Sequence, residues 1–128
     1  MKNFVLLILF AISVNNNCKA QNNAVNDFVP EGYTIYETNY GDLNKDGQED
    51  CILIIKGTDK DNIVIDRYDK TVDRNRRGIV ILFKNQDSYK LAAINQDCFT
   101  SENEDGGIYF PPELYVDVKK GNLVIHYA

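Results

Sequence analysis

"YTIYETNY" (residues 33–40), "GDLNKDGQED" (41–50) and "CILII" (51–55) follow one another without a break, and their three chemistries set the fold. The first alternates Tyr33, Ile35 and Glu37 against Thr34, Tyr36 and Thr38, a strand composition. The last is a continuous apolar run, as expected of a central strand buried on both faces. Between them, Asp42, Asn44, Asp46 and Asp50 stand at the first, third, fifth and ninth places of a loop, with Gly47 at the sixth. Asn, Asp and Gly favour turns, so the unit reads as strand, tight loop, strand.

Working outward, the same pattern repeats. "QNNAVND" is a solvated leader with one helical turn after it, and "NIVID" is a short strand. "RGIVILF" and "YKLAAI" flank the turn "KNQDS", while "LYVDV" and "LVIHY" flank "KKGN", giving two hairpins. There is no long segment of helical period and no internal repeat. The expectation is a mainly β domain of six or seven antiparallel strands, built as hairpins, with little helix. Two long connections interrupt it, Arg67–Arg77 and Asn95–Pro112, and loops of that length are often functional. "LVIHYA" stops inside a strand. The chain therefore reads as truncated, or as ending on an edge strand open to pairing with another chain.

Residues 1–20, "MKNFVLLILFAISVNNNCKA", read as an export signal: Lys2 is the positive start, Phe4–Val14 the apolar stretch, and "CKA" the cleavage site. Eleven apolar-leaning residues are too few to span a membrane, which takes about 20. Acylation of Cys18 is the weaker alternative, because three asparagines precede it. The mature domain, residues 21–128, loses Lys2 and Lys19, leaving 12 basic against 19 acidic residues and a net charge of −7. Such a surface argues against nucleic acid and against insertion into an anionic membrane. The placement is periplasmic or extracellular, where Cys51 and Cys98 either form one disulfide or remain two buried thiols.

The loop's chemistry is that of a hard cation. Calcium takes six to eight oxygens, and alternate side chains of a tight turn supply them locally. Asp42, Asn44, Asp46, the backbone carbonyl of Gln48 and Asp50 are the ligand set, with Gly47 permitting the bend. No His or Cys lies in the loop, so zinc and copper fit poorly. The alternative is an acidic turn that holds no ion. An EF-hand needs a Glu at the twelfth place and a helix beyond it, whereas Leu53 stands there inside a β-type run. The strand–loop–strand setting resembles the calcium loops of FG-GAP/VCBS-type repeats of integrin-like β-propeller proteins. Over most of the mature length, the chain is also similar to small exported proteins of Gram-negative bacteria that carry one such loop. That resemblance implies fold and export and brings no activity. Its members continue past this point with an aromatic-rich hairpin.

Other features are less specific. Arg74, Arg76 and Arg77 either dock an acidic partner or brace acidic loops of the same molecule. "SENEDGG" and "GTDKDN" read as solvated turns. His126, the single histidine, has a structural role, and no nucleophile–base motif is present. Tyr36, Tyr40, Tyr109 and Phe110 fill a core or form a peptide- or glycan-binding face. The functional expectation is an exported calcium-binding module for a protein or glycan partner, without a catalytic centre. The alternatives are a small secreted hydrolase or its accessory domain with structural calcium, and a fragment without independent function.

Overall fold

A strand with no polar face must have a layer on each side, and β2 (Asp50–Gly57) has both. Cys51 through Ile55 are completely buried. The computed structural model describes residues 25–104 and 113–127. The export signal, residues 21–24, residues 105–112 of the second long connection with Tyr109 and Phe110, and Ala128 lie outside them.

Strand β1 (Tyr33–Gly41) pairs antiparallel with β2 on one side. On the other side β2 pairs with β5 (Arg77–Asn85), and β5 pairs with β6 (Ser88–Phe99). These four make one antiparallel sheet in the order β1-β2-β5-β6. Alternate residues of β2 serve opposite layers. Cys51, Leu53 and Ile55 join Val80 and Leu82 under Val25, Phe28 and Val29. Ile52 and Ile54 join Ile79 and Phe99 under a separate hairpin, β7 (Leu114–Lys119) and β8 (Asn122–Tyr127). The β7–β8 turn places Lys120 and Gly121 at φ of 53° and 77°, the paired left-handed conformation that matches strand twist.

The architecture is mainly β and antiparallel, as the sequence implies, with a 3-10 turn at Lys60–Asn62 in the "GTDKDN" segment. Two boundaries differ from expectation. Within the Arg67–Arg77 connection lies β4 (Thr71–Asp73), which pairs with β3 (Ile63–Ile65). The turn between them is folded by Asp66, whose Oδ1 accepts the amides of Tyr68 and Lys70 at 2.8 and 3.0 Å. The chain there looks like a loop because the pair is only three residues long. Likewise β6 runs to Phe99, five residues beyond "YKLAAI", through a polar stretch whose pairing is irregular between Arg77 and Ile79 of β5. Among the described residues, no helix is long and apolar enough to cross a membrane.

Among the described residues, Cys51 and Cys98 are both free. Cys51 lies opposite Leu82, which lies opposite Leu91, and Cys98 is seven residues further along β6. Bulges shorten that run to the span from Leu82 to Gly78 of β5, about 13 Å at roughly 3.3 Å per residue, and with two strand spacings added the separation is about twice the reach of a disulfide. Burial also pushes the Cys51 thiol up to about 11, against a lesser opposing hydrogen bond from Tyr40. His126 stacks on its cross-strand neighbour Tyr115, centroids 4.1 Å apart and 12° from parallel, and its Nε2 has no hydrogen-bond partner. Alkylation of the native protein at neutral pH should modify Cys98 alone, with Cys51 reacting only after denaturation. Non-reducing peptide mapping should find no link between them.

Candidate functional site

The Asp42–Asp50 loop is closed by its own side chains. Asp42 spreads its carboxylate over two amides: Oδ1 accepts Asp46 N–H at 3.1 Å and Oδ2 accepts Gly47 N–H at 2.9 Å. Asn44 Oδ1 accepts the same Asp46 N–H at 3.2 Å, and its Nδ2 donates to Asp46 Oδ2 at 3.0 Å. Asp46 Oδ1 accepts Gln48 N–H at 2.8 Å. All but the Asn44–Asp46 side-chain pair are short-range side-chain-to-backbone bonds of the kind that makes Asn and Asp turn residues. Lys45 at φ 61° and Gly47 at φ 84° complete the bend. The loop therefore brings Asp42, Asn44 and Asp46 into one network.

Of the other two residues of the expected ligand set, Asp50 points away from that network, while Gln48 belongs to the set through its backbone carbonyl and not its side chain. Asp50 is fully buried beneath the loop. Its Oδ2 accepts the amides of Leu43 at 2.8 Å and Asn44 at 3.4 Å, while Oδ1 accepts Lys84 N–H of β5 at 2.9 Å. Gln48 sends its side-chain oxygen to Gln86 N–H, in the β5–β6 turn, at 2.8 Å. Among the described residues, no three His, Cys, Asp or Glu groups converge as a metal-ligand cluster. Asp50 braces the loop against β5 from below.

Arg74, Arg76 and Arg77 all reach the segment that follows β6. Arg74 Nε donates to the Asn103 carbonyl at 3.2 Å. Arg76 donates twice to the Asp97 carbonyl and lies 3.7 Å from the Glu104 carboxylate. Arg77, only 2% exposed, donates to the Thr100 carbonyl at 3.1 Å. Its neighbour across the sheet, Lys56, pairs with Asp73 at 3.0 Å and Glu102 at 3.1 Å. Tyr36, whose hydroxyl donates to Glu102, sits under both cations at 5.5–5.8 Å from its centroid. The described start of "SENEDGG" is thus not simply solvated, since Glu102 is held by Tyr36 of β1 and Lys56 of β2.

Sequence reasoning missed Asn75, a fully enclosed hub. Its Oδ1 accepts Asp59 N–H and Asn62 Nδ2; its own Nδ2 donates to the Asp59 carbonyl and to Asp73. The arginines on either side were the only signal nearby. Asn75 forms one wall of an open cleft of about 500 Å³ beside Tyr33, Thr58, Asp59, Arg76 and Asp97. The cleft lining contains no His or Cys.

Fold and site together define a class: an antiparallel β domain whose β1–β2 loop gathers Asx side chains onto its own amides. No protein-family model, no curated protein and no solved structure matches this chain.

Two outcomes follow from these contacts. Asp50→Asn swaps an acceptor-only group for one bearing a donor, so a buried amide on the loop or on Lys84 loses its partner. The expected cost is about 1–3 kcal/mol, read by urea unfolding. For the Lys56 cluster, hydrogen bonds from Tyr36 and Lys56 hold Glu102 below the usual carboxylate range, against some burial. Burial opposes the charge on Asp73, but bonds from Asn75 and Lys56 outweigh it and lower its pKa. Burial likewise opposes the Lys56 ammonium, and Asp73 and Glu102 outweigh it and raise its pKa. The carboxylates contribute stability above their unfolded pKa values of about 4, lost as pH falls through the lowered folded values. Lys56 contributes below its unfolded value of about 10.4, lost as pH rises through the raised one. Lys56→Gln should remove the share of the alkaline limb that Lys56 contributes, leave the share that the raised Cys51 thiol contributes, and weaken the acid limb, with little effect on the profile near pH 7.

Proposed function

We propose that this is an exported, non-catalytic β module whose Asp42–Asp50 loop binds calcium and which engages a protein or glycan partner at or outside the cell envelope. The loop is of the FG-GAP/VCBS type by sequence resemblance, and export rests on residues 1–20. One observation carries the metal reading. Asp42 Oδ1 and Asn44 Oδ1 accept the same Asp46 N–H, so oxygens of the first and third places already share a focus at the fifth.

The donor set suits a hard cation. A carboxylate has about four acceptor positions, and Asp42 uses two on amides. Asp46 likewise keeps acceptor positions beyond its bonds to Gln48 N–H and Asn44 Nδ2. In this proposal Asp42, Asn44, Asp46 and the Gln48 carbonyl hold the ion, water completes the oxygen shell, and Asp50 orients the loop through Leu43 and Asn44. The bound ion would offset the mutual repulsion of the two outer carboxylates. The non-catalytic reading is supported by the chain's one histidine being stacked on Tyr115 and by the high thiol pKa of Cys51.

Calorimetric titration with calcium should give saturable binding at one site, with magnesium weaker. At 10–100 times the dissociation constant the ion should add about 1.4–2.7 kcal/mol of stability, seen as a higher Tm than in chelator. Asp46→Ala should melt at one temperature in both conditions. Coincident melts of the unaltered protein, with no heat of binding, overturn the proposal.

A further inference from the structure

Among the described residues, no strand ladder joins the two sheets that face each other across Ile52 and Ile54. Every backbone pairing of β7 is with β8, and the four-stranded sheet pairs only within itself. The hairpin could leave the sheet with its own ladder intact, so departure would cost side-chain packing and little backbone hydrogen bonding. Its seat is also uneven. Leu114 and Val116 of β7 are buried, yet their cross-strand partners Tyr127 and Ile125, on the same inward face, remain 46% and 44% exposed.

What holds the hairpin is concentrated at its two ends. At the far end, Tyr127 hydrogen-bonds Thr100 and leans on Phe99, ring centroids 5.7 Å apart. At the near end, the β1–β2 loop grips it. Gly41 approaches Val118 so closely that an added Cβ would lie 2.4 Å from the valine Cβ. Leu43 packs into the same cluster as Val118 and Leu123. The stem of Lys45 crosses Gly121, where an added Cβ would lie 2.5 Å from the lysine Cε.

We propose that β7–β8 is a separately opening cover over the Ile52–Ile54 face, latched at its turn by Leu43 and Lys45 of the β1–β2 loop. The opening is a local unfolding step of lower free energy than the unfolding of β2 and β5. The inference stands apart from calcium binding, because the latch consists of residues that are not in the ligand set.

Hydrogen exchange followed by mass spectrometry on the full chain, in chelator, tests it. Peptides covering 114–127 should exchange at least tenfold faster than those of β2 and β5. Leu43→Ala should accelerate 114–127 by about a further tenfold, as expected for truncating a half-buried leucine, and leave β2 and β5 unchanged. Lys45→Ala, milder and at an exposed position, should shift the same peptides in the same direction. Exchange of 114–127 in step with β2 and β5 overturns the cover. Variants that leave the hairpin unaffected, or that speed all strands equally, overturn the latch.

Discussion

A carboxylate with no access to water, held by three backbone amides, is the constraint on which this molecule turns. Asp50 begins the central strand, and desolvating its charge would be costly if those amides were absent. They come from two sides: Leu43 and Asn44 in the loop before it, Lys84 on the strand beside it. One side chain therefore fixes both the loop's closure and its position over the sheet. Gln48 repeats the linkage one layer further out, through Gln86. With the loop so placed, Leu43 and Lys45 arrive where the β7–β8 turn passes.

The opposite end of the sheet is organised by polar groups too, through different chemistry. There Asn75 ties β4 and the 3-10 turn together, and Lys56 with Arg77 gathers the segment after β6. Half-exposed ion pairs of this kind add little net stability, but a buried and satisfied amide strongly disfavours alternative arrangements. The apolar middle supplies most of the driving force, and the two polar ends decide how the layers are set on it.

Much of this was legible in "YTIYETNYGDLNKDGQEDCILII", because alternation, a continuous apolar run and Asx-Gly turn chemistry are all local signals. The hairpins at "KNQDS" and "KKGN" were legible for the same reason. What escaped depended on partners distant in the chain. Glu102 meets Lys56 across 46 positions, and Asp50 meets Lys84 across 34. No local pattern distinguishes an Asp aimed outward at an ion from one aimed inward at amides. The spacing that places Asp42, Asn44 and Asp46 on one side of the bend is also silent about the ninth residue once a strand has begun. The β3–β4 pair escaped because three-residue strands carry too few alternations to register.

That division of labour bears on how the loop could serve a cation at all. Three carboxylates converging on one point would be badly placed whenever the ion was absent. Turning Asp50 inward leaves only Asp42 and Asp46 to confront each other, and each is offset by the amide N–H groups it accepts. Because the loop closes on its own amides, little ordering cost would remain to be met on binding. It also gives up one direct charge, which favours a weaker, exchangeable site over a permanent one. For the exported calcium module proposed above, a site of that strength would suffice, and it would leave the residues that grip the hairpin free of any role in coordination.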